Sequence, residues 1–304
     1  MDELFAKRQT GIAHRQAWTP DELTEAIADA HVLVVSGFWR NELLELAPKL
    51  RFIQSIGAGY DQFPLDELRS RGIRLASAAG VNRNAVSEHA LALMLAFTRQ
   101  LNSGFANQQQ RIWRGMIGDY NRREDELAGK TMLLVGLGGI GGRIAKLAKA
   151  FDMHVVAVKR NPATAGGPAD EIFATDQLTT LLPRADFLVL ACPLTPETEK
   201  LIGAKELAAM KPTAYLINVA RGGVVDEAAL IHALQEQSIA GAGLDVTIQE
   251  PLPADSPLWT MDNVILTPHT AGETRRYEEN VIDILVENIG RLAEGENPLQ
   301  NQIV

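Results

Sequence analysis

Residues 131–151, TMLLVGLGGIGGRIAKLAKAF, run a β-branched and leucine-rich segment straight into Gly136, Gly138 and Gly141 and then into an amphipathic stretch. GxGxxG spacing between a strand and a helix belongs to a parallel βαβ unit that binds a dinucleotide. The first glycine makes the tight turn, the second lets the backbone approach a pyrophosphate, and the third allows close helix packing. The positive end of the helix then faces the phosphates, with the N–H groups of Gly139 and Ile140 as donors. A glycine-rich turn without a ligand would read similarly. GKT at 129–131 is no ATP-type P-loop, because Glu124 stands where that motif needs its earlier glycine.

From about Pro20 short β-branched runs alternate with amphipathic stretches, the reading order of an α/β fold with parallel sheets. Early strands are expected at 32–36, 51–55 and 73–76, and a second series at 131–135, 154–158, 187–191, 214–219, 243–246 and 264–267. Two sheets follow, with a break near 79–84. Between the series lies AVSEHALALMLAFTRQL, 85–101, a helix whose apolar positions cover more than the usual face. It needs burial on several sides, in a core or at a subunit interface. Residues 273–294 read as one long amphipathic helix, late enough to return to the first domain. No solenoid repeat or low-complexity tract is visible.

With 304 residues, 46% of them hydrophobic, the chain can bury the cores of roughly two domains. Its longest apolar runs fall short of the ~20 residues of a membrane span, and MDELFAKRQTG lacks the order of a secretory signal. No membrane partner is expected, and a cytoplasmic location is the default. Cys192 is the one cysteine, so no intrachain disulfide, cysteine zinc site or iron–sulfur cluster can form; no metal is expected. In FLVLAC it reads as a buried structural thiol. A formal charge of -9 disfavours general nucleic-acid binding.

In NAD-preferring loops an acid about 20 residues beyond the first glycine binds the ribose 2′-hydroxyl. Here HVVAV leads into Lys159, Arg160 and Asn161, with no carboxylate in place. Two cations suit a 2′-phosphate, so NADP(H) is expected over NAD; a solvated basic turn is the alternative.

Three late segments carry further chemistry: NVARGGVVDEAAL with Arg221, GLDVTIQEPLP with Asp245 and Glu250, and ILTPHTAG with His269. Each begins at the carboxyl end of an expected strand, where open α/β sheets place ligands. Together with SIGAGYD at 55–61, the glycine loop and CPLTPET at 192–198, in this order, they make the chain similar to the D-isomer-specific 2-hydroxyacid dehydrogenase family from about Leu23 onward. The resemblance implies a Rossmann cofactor domain, 80–272, and a smaller flavodoxin-like substrate domain, 1–79 with 273–304. Both would be doubly wound parallel-sheet domains, with the active site in the cleft. It also implies roles. Arg221 would hold the substrate carboxylate and carbonyl oxygen with its planar fork. His269 would protonate that oxygen as hydride reaches carbon. Glu250 would stabilise the imidazolium. The N–H groups of Ala58 and Gly59 would complete the carboxylate site, Asp245 would contact the nicotinamide end, and Pro193, Thr198, Val219, Ala220 and Arg221 would line the dinucleotide.

Two departures stand out. The apolar first strand that usually opens the substrate domain is absent, so that sheet lacks an element or takes its cover elsewhere. The acid after the second cofactor-domain strand is replaced, as described above. Glu250 disfavours formate, since formate dehydrogenases of the superfamily carry a different residue there. His89, in SEHALALML, reads as structural, and His14, His31, His154 and His232 have no catalytic context. The reading is a reductase of a small 2-oxo acid such as glyoxylate or hydroxypyruvate. The rivals are a dinucleotide-sensing protein like the superfamily's corepressors and a phosphoglycerate dehydrogenase, weighed lower because 304 residues hold no extra regulatory domain. The apolar helix and the following arm, 102–120 with Trp113, resemble the family's dimer-forming element, so a homodimer is expected. Phe38, Trp39 and Arg40 either line the substrate's side-chain end or, for Trp39, pack under a loop.

Overall fold

The computed structural model describes residues 1–60, 62–164 and 167–304; Asp61, the last residue of SIGAGYD, lies outside them. The chain divides into two units, Met1–Asn82 with Glu273–Val304 and Arg83–Gly272.

The smaller unit holds three parallel strands, β1 (Val32–Val35), β2 (Phe52–Ser55) and β3 (Arg74–Ala76), in the order β1-β2-β3. Short alternating runs put Leu33, Val35, Ile53 and Leu75 on one face, against Ile27, Leu44 and Leu68. Phe52 and Ala76 face the other way, against Ile282 and Leu285 of the long helix Tyr277–Glu294. The opening residues, which are not strand-like, form the short helix Asp2–Ala6, and its Phe5 joins this second cluster. The cover comes from elsewhere too. The carboxyl-terminal tail lies antiparallel beside β3, with Ile303 N–H donating to the Leu75 carbonyl at 2.7 Å and Ala76 bridged to Gln302. Trp39 is buried, 5.0 Å from the Phe63 ring, with its indole N–H on Asn41 Oδ1 at 3.0 Å. It packs within the core, whereas Phe38 and Arg40 are exposed.

The larger unit is built on seven parallel strands: β4 (Thr131–Val135), β5 (His154–Lys159), β6 (Glu171–Ala174), β7 (Phe187–Leu190), β8 (Tyr215–Asn218), β9 (Gly241–Leu244) and β10 (Val264–Leu266). Their order, β10-β9-β8-β7-β4-β5-β6, reverses direction between β4 and β7. Period-2 alternation divides the central strands between two cores, which is why they read as unbroken apolar runs. Leu133, Val135, Leu188, Leu190 and Leu216 pack with Leu207 and Leu230 on one side. Met132, Leu134, Phe187, Val189 and Ile217 pack with Met94, Phe97 and Ile144 on the other.

The helix expected over 85–101 runs over Arg83–Thr98. Val86, Ala90, Leu91, Leu93, Met94 and Phe97 are buried in this unit's own core, and Phe97 stacks on Tyr215 at 4.6 Å. It stops early because Gln100 turns left-handed, φ 49°. The next helix, Leu101–Gln109, buries no residue. The last helix begins at Tyr277 rather than at 273. Strand β6 was not expected from the sequence. It is a half-buried edge strand of four residues, EIFA, whose polar Glu171 weakens any apolar pattern. Strand β9 begins two residues before its expected start. A Cβ on Gly241 would stand 2.5 Å from the Asn263 carbonyl oxygen, and one on Gly243 3.2 Å from Leu93, so packing takes glycine where strand propensity argues against it. Among the described residues no helix is long and apolar enough to cross a membrane.

Candidate active site

One row of paired residues crosses the larger sheet: Val158, Val135, Leu190, Asn218, Leu244 and Leu266. Each singled-out segment of this unit leaves its strand just beyond that row. Lys159 and Arg160 follow Val158, the glycines follow Val135, Pro193 follows Leu190, Val219–Arg221 follow Asn218, Asp245 follows Leu244, and Thr267–His269 follow Leu266. The order of strands reverses between β4 and β7, so the glycine loop lies at the crevice where such sheets bind ligands.

Gly136 has φ +99°, and a Cβ there would lie 2.8 Å from the Ala191 carbonyl oxygen; at Gly141 it would collide with the Gly136 carbonyl. At Gly138, the N-cap of helix Gly139–Ala150, it would meet nothing within 4 Å. The first and third glycines thus satisfy the protein's own packing, while the second borders open space. With first-turn N–H groups that have no intrahelical acceptor, this loop fits a pyrophosphate. The Thr198 hydroxyl is spent inside its own turn, donating to the Pro193 carbonyl at 2.7 Å and accepting from Thr195 N–H at 2.8 Å. Its side chain shapes the loop. Beside that turn Glu197 is held below its usual carboxylate range, first by the Thr195 hydroxyl and in smaller part by the Arg160 charge. Cys192 is buried, and burial pushes its thiol up to about 11, as an inert structural thiol requires.

His269 and Glu250 are paired, Nδ1 to Oε2 at 2.7 Å, with both side chains partly exposed. The other Glu250 oxygen accepts the Thr247 N–H at 3.1 Å, which fixes the carboxylate. With Nδ1 turned to Glu250, Nε2 is the nitrogen left to exchange a proton. His269 itself has φ +55°, a left-handed conformation uncommon outside glycine, and its N–H donates to the Asp245 carbonyl at 2.7 Å. The Asp245 carboxylate, 3% exposed, accepts from the Thr267 hydroxyl at 2.6 Å and from the Thr270 and Ala271 amides at 3.0 and 3.1 Å. Arg221 stands after a turn held by buried Asn218, whose amide oxygen accepts from Ala220 N–H and whose NH₂ donates to the Arg221 carbonyl. Its Nη1 donates to the Ala220 carbonyl at 2.8 Å, which orients the guanidinium. Val219 and Ala220 are buried beneath it. In the smaller unit Ala58 and Gly59 lie in a half-buried loop after β2, tied by Ser55 Oγ to the Gly59 carbonyl.

Sequence reasoning missed three supporting residues. All three stand inside the quoted segments, Asn218 and Thr267 at strand ends and Glu227, which accepts the Ile248 N–H at 3.0 Å, at the start of a helix, and that position is their only signal.

The family described as D-isomer specific 2-hydroxyacid dehydrogenase, NAD binding domain, matches residues 91–271. The chain belongs to that family. A glyoxylate reductase of Thermococcus litoralis is 39% identical over 280 residues, 89% of this chain and 82% of that protein. A D-3-phosphoglycerate dehydrogenase of Methanocaldococcus jannaschii is 37% identical over 281 residues, 91% of this chain; the chain spans about half of that longer protein, 52%. The structure of a D-isomer specific 2-hydroxyacid dehydrogenase from Xanthobacter autotrophicus Py2, in complex with NADPH and MES, superposes with a TM-score of 0.80 at 28% identity, covering 100% of this chain and 93% of that one. In these dehydrogenases a nicotinamide dinucleotide carries the hydride, and the glycine loop described above fits such a group.

Proposed function

We propose that this dehydrogenase reduces a small 2-oxo acid, of the size of glyoxylate or hydroxypyruvate, to the D-2-hydroxy acid with NADPH. The observation that carries the reading is the His269–Glu250 pair at 2.7 Å. It gives a proton donor at Nε2 with an anion behind it to stabilise the imidazolium. A dinucleotide held at the glycine loop would supply the hydride for the carbonyl carbon. His269 Nε2 gives its proton to the carbonyl oxygen, so the C=O becomes CH–OH and the imidazole is left neutral. Arg221 holds the substrate carboxylate with its fork of N–H donors, and the amides of Ala58 and Gly59 are proposed as further donors to the same group. Initial rates on a panel of 2-oxo acids that includes phosphohydroxypyruvate test the reading. Turnover of glyoxylate or hydroxypyruvate is expected; turnover of the phosphorylated acid alone would move the assignment to a phosphoglycerate dehydrogenase, and NADPH-dependent assembly without turnover to a sensor.

The choice of NADPH is carried by Lys159 and Arg160 at the end of β5, which take the place in the sequence of a carboxylate that would repel a 2′-phosphate. Each cation is expected to contribute about 5- to 30-fold in affinity. Lys159→Asp with Arg160→Ala should erase the preference, chiefly through KM, since the 2′ position lies far from the hydride. Equal or better use of NADH by the parent would overturn the cofactor choice alone.

We infer as well that the protein is a homodimer. In the arm after helix Leu101–Gln109, Trp113, Met116 and Tyr120 are 98%, 93% and 80% exposed. Such an apolar surface marks a protein contact.

A further inference from the structure

The helix Arg83–Thr98 carries one polar ring on its half-buried side, His89, which the motif reading leaves without a function. Its Nε2 lies 2.9 Å from Thr267 Oγ1 and 3.7 Å from Asp245 Oδ1. The Thr267 hydroxyl has a single proton, and its 2.6 Å partner, Asp245 Oδ1, belongs to a carboxylate that can only accept. That proton is therefore committed to Asp245, and the hydroxyl can only accept from His89. His89 Nε2 must carry a hydrogen, and a directed chain results: His89 N–H to Thr267 O–H to Asp245 carboxylate.

Asp245 is the anchor of the segment that bears His269. Its carboxylate takes the Thr270 and Ala271 amides, and its carbonyl takes the His269 N–H at 2.7 Å. These bonds bracket His269 on both sides and hold it at φ +55°. Such a conformation is strained for a residue other than glycine and persists only where the surroundings over-determine it. Thr267, two residues before His269, has a rotatable hydroxyl that could otherwise turn away. The donor on His89 leaves it one orientation.

We propose that His89 is a positioning residue for the proton donor, acting through Thr267 and Asp245 to fix the turn that presents His269. The inference rests on the reading of His269 as that donor. A purely structural role would be served equally by any side chain filling the space; a positioning role needs a hydrogen-bond donor at one point.

The test compares His89→Leu, which fills space without a donor, with His89→Gln, whose amide NH₂ can reach the same hydroxyl. Each is made in the parent and in a His269→Ala background. Expected is a fall in kcat of about 10-fold for His89→Leu, the scale of a slightly misplaced group, with KM for the 2-oxo acid within about 2-fold. His89→Gln should recover at least half of the parental kcat. In single-turnover measurements His89→Leu should add nothing to the His269→Ala loss, because it acts only through that side chain. Parental kcat in His89→Leu, failure of Gln to rescue, or an equal loss in both backgrounds would each overturn the proposal. Parental turnover in His269→Ala itself would instead overturn the reading of the donor.

Discussion

At His269 the main chain and the side chain are controlled from different places. Asp245 sets the backbone, while Glu250 sets the ring through Nδ1. The two contributions can therefore be removed separately. Glu250→Gln keeps a hydrogen-bonding group at the ring but removes the negative charge 2.7 Å from Nδ1, so under the proposed role kcat should fall about 10-fold with NADPH affinity unchanged. Stopped-flow rates and a dinucleotide titration would check it; an unchanged kcat would show that the carboxylate's charge is dispensable. Arg221, Glu250 and His269 stand out in the sequence because each lies in a short ordered segment after an apolar strand, and the structure pairs the last two. Thr267 and Asn218 are not legible as supports. Their importance lies in hydrogen bonds that exist only once β8, β9 and β10 are in register. The same holds for His89, which meets Thr267 across 178 residues of sequence.

Elements that pack on both faces announce themselves, and those at an edge do not. Strands β4, β7 and β8 are continuous apolar runs, because helices cover both sides of the sheet. Strand β6 adds charges to its half-buried Ile172 and Phe173: Glu171 pairs with Arg184 and with His154, and Lys149 reaches Asp170 at 2.8 Å. No periodicity encodes such an arrangement. Arg184, and then His154, hold the Glu171 carboxyl at about 2, below its ordinary 4.5. A carboxylate with a lowered folded value adds stability that is fully present above about 4.5 and is lost as pH falls through about 2. The side chain is a third exposed, so solvent screening limits the effect to under about 1 kcal/mol. Glu171→Gln should lower the Tm at pH 7 by about 2 °C. The difference from the parent should shrink between pH 4.5 and 2; a gap unchanged across that window would deny the ion pair its role.

For the molecule as a whole, the ordered motifs carry the family and the fold class, while the sheet edges and the oligomeric state depend on contacts that no local pattern encodes. That MDELFAKRQTG is not strand-like can be read from the sequence, yet that Phe5 and the tail at Ile303 cover the small sheet cannot. The exposed arm leads to an expected mass of two chains at micromolar concentration, shifted toward one chain by Trp113→Ser with Met116→Ser. Light scattering that finds only single chains in the parent would remove the dimer. In the proposed chemistry His269 gives a proton to a 2-oxo acid as hydride arrives. Its most direct test is the turnover number for glyoxylate or hydroxypyruvate reduction by NADPH in the parent and in His269→Ala, with dinucleotide affinity measured on both. A loss of about 100-fold or more in turnover is expected at nearly unchanged NADPH affinity. Parental turnover in the variant, or a parent enzyme that binds NADPH and reduces no 2-oxo acid, would contradict it.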